Sequence, residues 1–113
     1  MDTFTALAEP TRRSILEMLA ADGQLSATDI YNKFDTSHPA VSQHLKVLRE
    51  ANLVTVEKRA QKRIYYINPE PMRELEKWIK QFAANLDERY QALDKVLEIE
   101  KQRLLAEKVK EKK

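Results

Sequence analysis

The chain has 113 residues, with 20 Lys and Arg against 18 Asp and Glu, 34% charged and 42% apolar residues, one glycine and no cysteine. Those proportions suit one small, mainly helical domain with a modest core. The absent cysteines exclude disulfides, thiolate metal sites and cysteine nucleophiles, and a lone glycine excludes the glycine-rich loops that cradle phosphates. The net charge of +2 is a cancellation: residues 1–36 carry 3 basic and 6 acidic side chains, residues 37–66 carry 6 and 2, and residues 67–113 carry 11 and 10. Positive charge is therefore concentrated in the middle third. No apolar run approaches the ~20 residues that span a bilayer. Met1-Asp2-Thr3-Phe4-Thr5 lacks the basic start of a secretory leader, so a soluble, cytoplasmic chain with no membrane partner is expected.

Phe4, Leu7 and Ala8 share a helical face that ends near Pro10, because the residue before proline is pushed out of the α region. Pro10 opens a second helix with the apolar stripe Ile15, Leu16 and Leu19, stopped by Gly23. Ser26 caps a short third helix, with Asp29 in its first turn and Ile30, Tyr31 and Phe34 on its buried side. After an Asp35-Thr36 turn, Ser37 caps a fourth helix. Pro39 falls in its first turn, Val41, Leu45 and Leu48 mark its core side, and Asn52 sits at the C′ position.

From Leu53 the period changes from helical to alternating. Val54 and Val56, then Ile64-Tyr65-Tyr66-Ile67, predict two strands joined by the basic tip Lys58-Arg59-Ala60-Gln61-Lys62-Arg63. Asn68-Pro69-Glu70-Pro71 restarts a helix. Leu75, Ile79, Phe82, Leu86, Tyr90, Leu93 and Leu97 then follow at spacings of four and three, nearly the heptad seam of a coiled coil. A helix over residues 70–105 would be roughly 50 Å long, too long to pack only on this small domain. Residues 106–113 read as a solvated basic tail. The expected organisation is thus residues 1–69 as one domain, 70–105 as a long helix continuous with it, and the tail.

A short helix, a tight turn, a second helix with polar residues outward and then a basic hairpin is the order of a winged helix-turn-helix. A helix fits the major groove of B-form DNA and can offer hydrogen-bonding side chains to base edges. Rotation away from Val41, Leu45 and Leu48 exposes His38, Ser42, Gln43, Lys46 and Arg49. Gln43 can pair with adenine N6 and N7, Ser42 with several edges, and Lys46 with guanine or phosphate. The candidate DNA contacts are Ser37, His38, Pro39, Ala40, Ser42, Gln43 and Lys46 on the helix, with Lys58, Arg59, Lys62 and Arg63 aimed at phosphate or the neighbouring minor groove. Each part alone has a plain alternative, a solvated helix face or a hairpin that is merely soluble. The joint order is harder to explain that way.

Two stretches carry a family resemblance. Residues 4–16, Phe-Thr-Ala-Leu-Ala-Glu-Pro-Thr-Arg-Arg-Ser-Ile-Leu, and residues 37–54, from Ser37-His38-Pro39-Ala40-Val41-Ser42-Gln43-His44 to Leu53-Val54, resemble the opening signature and the recognition helix of the ArsR/SmtB transcriptional repressors. The resemblance covers about residues 3–90. It implies a mainly α fold with a small β-hairpin, a winged helix-turn-helix with a long C-terminal dimerisation helix, and a homodimer on a pseudo-palindromic operator in double-stranded DNA. The first and last helices would form the dimer interface, through Phe4, Leu7, Leu75, Trp78, Ile79, Phe82, Leu86, Tyr90 and Leu93. Asn52 and Gln61 stand where the family commonly has glycine.

The family's thiolate motif falls on residues 24–30, where Ser26 and Thr28 occupy the cysteine positions, and hydroxyls are poor ligands for soft metals. No histidine follows His44, which removes the alternative site on the last helix, so no metal and no cofactor is expected. His44 is expected to pack beside Leu48 or to bond to backbone, Arg12 and Arg13 to pair with Glu9 or Glu17, and Trp78 with Phe82 to be dimer core rather than a ligand cage. Asp87, Glu88 and Asp94 have no histidine or nucleophile beside them in sequence, so catalysis has no support.

A second class of function stays open, a protein-interaction adaptor in which the long helix pairs with a different protein. Compaction of DNA without sequence preference is disfavoured by the modest net charge. Nothing in the residues names an operator or a small-molecule effector.

Overall fold

The computed structural model describes residues 1–111, in the order α1 (Thr3–Leu7), α2 (Pro10–Asp22), β1 (Leu25–Ser26), α3 (Ala27–Tyr31), α4 (His38–Glu50), β2 (Val54–Arg59), β3 (Lys62–Ile67) and α5 (Pro69–Glu111). The chain divides into two compact units after Leu75.

The starts of α1 to α4 are each fixed by a polar side chain that accepts an otherwise unpaired backbone N–H. Asp2 accepts from Thr5 at 2.7 Å, Glu9 from Arg12 at 3.1 Å, Ser26 from Asp29 at 3.1 Å and Ser37 from Ala40 at 3.4 Å. Pro10 and Pro39 lie in the first turns of α2 and α4, where no N–H is needed. The ends of α2 and α4 use a residue at positive φ. Gly23 has φ 84° and donates to the Leu19 carbonyl at 2.8 Å, and Asn52 takes φ 61° just after α4.

The core joins Ile15, Leu16 and Leu19 of α2, Ile30 of α3, Val41, Leu45 and Leu48 of α4, and Leu53, Val54 and Tyr65 from the sheet side. Tyr31 and Phe34 pack against it as expected. Val47 is also buried, although it lies outside the four-and-three stripe. In α1 the fully buried residue is Ala6, Leu7 packs against the core, and Phe4 is exposed.

The sheet has three strands rather than the expected two, in the antiparallel order β1-β3-β2. The additional strand is Leu25–Ser26, paired with Tyr65 and Ile64. Two residues are too few to show alternation, and Ser26 serves at once as strand end and as N-cap of α3. The hairpin β2–β3 closes through Ala60 and Gln61, with Arg59 opposite Lys62. Ala60, not Gln61, takes the positive φ, at 54°.

α5 runs past the expected end at Leu105 to Glu111. Residues 106–110 are exposed, as a solvated tail requires, but they are helical; Lys112 and Lys113 lie outside the described residues. The run has no glycine or proline after Pro71 to stop it, and Lys108 and Lys110 in its last turn complement the negative helix end.

A left-handed backbone costs a residue with a Cβ about 1–2 kcal/mol. Ala60→Gly is therefore expected to leave the free energy of unfolding unchanged or raise it by up to about 1 kcal/mol, after the extra chain entropy of glycine is counted. Ala60→Val is expected to lower it by about 1–2 kcal/mol, because a β-branched residue fits that backbone worse. Urea denaturation followed by far-UV circular dichroism measures both.

Candidate nucleic-acid interface

The apolar face of α4 is consumed by the core, so rotation alone decides which side chains face outward. Ser42, Gln43, Lys46 and Arg49 are exposed. With Pro39 at one end, and Arg63 and Tyr65 contributed by β3, they line a groove of about 290 Å³. Recognition helix and wing thus meet in one concave surface. Its lining side chains are a serine, a tyrosine, a carboxamide, three cations and a proline, and no acidic side chain lines it.

Strand alternation sorts the wing cations. Lys58 and Arg63 are cross-strand partners on the face that carries Val54, Val56, Tyr65 and Ile67, while Arg59 and Lys62 are partners on the other face, with Glu57. Like charges directly opposite each other destabilise a hairpin. Two such pairs at one tip place positive charge at the expense of stability. Arg59 is partly neutralised: its Nε–H and one terminal N–H donate to Glu57 Oε2 at 3.1 and 2.8 Å.

The expected contacts therefore separate. Pro39, Ser42, Gln43, Lys46 and Arg63 come together in the groove, whereas Lys58, Arg59 and Lys62 lie outside it on the wing. Ser37 spends its hydroxyl on the cap of α4, with exposed Ala40 as donor, and His38 stacks on Tyr31 with ring centroids 4.7 Å apart. Arg49 and Tyr65 are groove residues that the sequence reading left out of its contacts. Arg49 had a signal, being three residues after Lys46 on the same face. Tyr65 had none, because a strand residue between apolar neighbours reads simply as core.

A polar junction sits behind the groove. His44 Nδ1 lies 3.6 Å from Glu9 Oε2 and 3.4 Å from Arg12 Nη1, rather than in the apolar or backbone setting expected of it. Arg12 does not use its guanidinium on Glu9 or Glu17; it donates to the carbonyls of Ala6 at 2.7 Å and Thr5 at 3.1 Å, while Arg13 donates to Leu7 at 2.7 Å. Both arginines thus satisfy carbonyls at the end of α1. Burial pushes the Glu9 carboxyl up, but the Arg12 N–H, the His44 charge and Thr11 together hold it below the ordinary glutamate value. Among the described residues, no group of three or more His, Cys, Asp or Glu could hold a metal ion, and no helix is long and apolar enough to cross a membrane.

The residues expected at a dimer interface are placed as follows. Leu7 packs against its own core and Leu75 is half-buried, while Phe4, Trp78, Ile79, Phe82, Leu86, Tyr90 and Leu93 are exposed, with the Trp78 and Phe82 rings stacked 5.2 Å apart.

Comparison with known proteins fits this geometry. A family described as a helix-turn-helix domain matches residues 7–57. The transcriptional repressor SdpR of Bacillus subtilis (strain 168) is 32% identical over 81 residues, which cover 72% of this chain and 89% of that protein. An arsenical resistance operon repressor of Staphylococcus xylosus is 39% identical over 64 residues, covering 57% of this chain and 61% of its own. Among solved structures, an ArsR-like transcriptional regulator from Rhodococcus sp. RHA1 superposes with a TM-score of 0.71 at 25% identity, over 82% of this chain and 87% of that one. A possible transcriptional regulator for arsenical resistance gives 0.65 at 35% identity, over 73% and 84%. The chain belongs to the ArsR family of transcriptional regulators. As an ArsR-family regulator it is a DNA-binding protein, and the groove between α4 and the wing is where its chemistry suits that task.

Two outcomes follow for this regulator. Glu57→Gln removes a carboxylate from the wing and releases Arg59, so affinity for random duplex DNA at low salt is expected to rise about twofold to fivefold, the scale of one exposed ion pair. The slope of affinity against salt should steepen by about one counterion. Fluorescence anisotropy across a salt series reads both. Because the folded Glu9 carboxyl titrates below its ordinary value, the stability it contributes is present above that value and lost as pH falls through the lowered one. The stability difference between wild type and Glu9→Gln, measured by urea unfolding, is expected at pH 7 and should shrink steadily below about pH 4.5.

Proposed function

We propose that this ArsR-family regulator is a homodimeric repressor that reads a pseudo-palindromic operator without thiolate metal sensing. Two α4 helices enter successive major grooves, about 34 Å apart, and the wings hold the flanking backbone. Gln43 and Ser42 read base edges, Lys46 reads guanine or phosphate, and Ser37, His38, Pro39 and Ala40 lie against the DNA at the helix start. Lys58, Arg59, Lys62 and Arg63 hold phosphates. The observation that carries this reading is the groove in which Gln43 and Lys46 converge with Arg63, because it sets a base-reading carboxamide beside phosphate-binding cations.

Partner copies are joined in this reading through Phe4 and Leu7 of α1 and the Leu75–Leu93 stripe of α5. An apolar stripe of that length is unfavourable in water unless it is covered. With no cysteine in these 113 residues, arsenic or zinc capture by thiolates is not available to the chain. Repression then responds to another signal, or the protein regulates constitutively.

Gln43→Ala is expected to cost about 1–3 kcal/mol on operator DNA and little on random DNA, since it removes a bidentate base contact. Lys62→Ala should weaken both and reduce the salt slope by about one. The operator comes from selection of bound genomic fragments, and anisotropy titrations compare the variants. Equal losses on both DNAs for Gln43→Ala would remove base reading from α4. A chain that sediments as a monomer and shifts no DNA would favour the adaptor role instead.

A further inference from the structure

Tyr65 is a core residue, only 5% exposed, yet the small part of it left open lines the groove together with Arg49 and Arg63. Its backbone lies in the central strand of the sheet, opposite Leu25 on one side and Val56 on the other. Among the described residues nothing bonds its hydroxyl, and that oxygen is not sealed from solvent. A buried tyrosine usually gives its O–H a partner. Here a neutral donor on a rigid support is left open to the groove.

The cations beside it are also uncommitted. Among the described residues none of Lys46, Arg49 and Arg63 is ion-paired, whereas Arg59, Arg73 and Arg103 each hold a glutamate. Three cations lining one groove of about 290 Å³ repel one another. An anion with several acceptor oxygens relieves that repulsion and can accept from the phenol as well, which is the chemistry of a phosphodiester. Position favours backbone over base for these groups. A recognition helix reads bases with its N-terminal residues, whereas Arg49 lies in the last turn of α4, about 9 Å along the axis from Gln43 at ~1.5 Å per residue. Arg63 and Tyr65, two residues apart, share the face of β3 that meets it.

We infer that Arg49, Arg63 and the Tyr65 hydroxyl together grip a single phosphate of the DNA backbone, at the end of α4 away from the base-reading residues. The two guanidinium groups supply charge-assisted hydrogen bonds from helix and wing, and Tyr65 donates a third from the core. Because the tyrosine is already immobile, its contact costs little ordering on binding and sets the register of α4 on the duplex. The inference rests on α4 being the recognition helix, as proposed above, and adds Arg49 and Tyr65 to its phosphate ligands.

Anisotropy titrations of the full chain on selected operator and on random duplex, across a salt series, test it with Arg49→Gln, Tyr65→Phe and the double variant. Tyr65→Phe deletes only an unbonded hydroxyl, so its urea midpoint should match the wild type. Its affinity should fall about tenfold on both DNAs with the salt slope unchanged, since no charge is lost. Arg49→Gln should cost at least about tenfold on both and lower the slope by about one. Groups that share one phosphate are not additive, so the double variant should lose no more than about threefold beyond Arg49→Gln alone. A further full tenfold would put the two on separate phosphates and overturn the shared site. Unchanged affinity for Tyr65→Phe overturns it too, as does a loss for Arg49→Gln confined to the operator. If Gln43→Ala weakens operator binding while Arg49→Gln and Tyr65→Phe weaken nothing, the phosphate site alone fails. If none of the three changes affinity, α4 is not the helix that faces DNA and the underlying reading fails with it.

Discussion

Burial of Val41, Leu45 and Leu48 against α2, α3 and the sheet is the constraint on which the candidate nucleic-acid surface depends. A helix with one face locked into a core has no rotational freedom left, so the same apolar residues that stabilise α4 also aim Ser42, Gln43, Lys46 and Arg49 outward. Each of the three is essentially inaccessible to water, and truncating such a side chain to alanine typically costs about 2–5 kcal/mol for leucine. Stability and aim are therefore one property in this domain. Tyr65 extends the coupling, since it belongs to the core and also lines the groove, which ties the wing to the helix.

Away from the core the chain accepts local costs where positive charge or a tight turn is wanted. The wing tip sets Lys58 opposite Arg63 and Arg59 opposite Lys62, and closes over an alanine at positive φ. Departures from local rules of this kind collect at functional surfaces, because the compensation arrives with the ligand. The Glu9–Arg12–His44 junction is of another kind. It uses polar side chains to complete the carbonyl end of α1 and to join it to α4, a task that a five-residue helix cannot perform with its own hydrogen bonds.

Long, regular features were legible in the residues. The N-caps at Ser26 and Ser37, the proline first turns, the left-handed Asn52 and the stripes of α2 and α4 each rest on chemistry within one turn of helix. The polar face of α4 and the basic tip, the parts of the candidate site, likewise belong to contiguous segments. Short or nonlocal features were not legible. β1 is two residues long and exists only because β3 lies beside it. The destinations of Arg12, Arg13 and His44 depend on α1, α2 and α4 meeting, and charge alone suggested ion pairs where backbone carbonyls were the better acceptors.

The near-zero net charge of the chain conceals an uneven distribution, with the excess of Lys and Arg in residues 37–66. Local sequence determined the order of the helices and of the β2–β3 hairpin, the basic middle third, the absence of thiolate chemistry and the family resemblance, because all of these are set by neighbours along the chain. Tertiary structure alone decided that Arg63 and Tyr65 join α4 in one groove while Arg59 is held by Glu57 and Lys62 shares the opposite face of the hairpin. The reason is strand register: shifting it by one residue would turn every wing side chain to the opposite face, and register is held by the two-residue Ala60-Gln61 turn together with packing of Val54, Val56 and Tyr65 against the core.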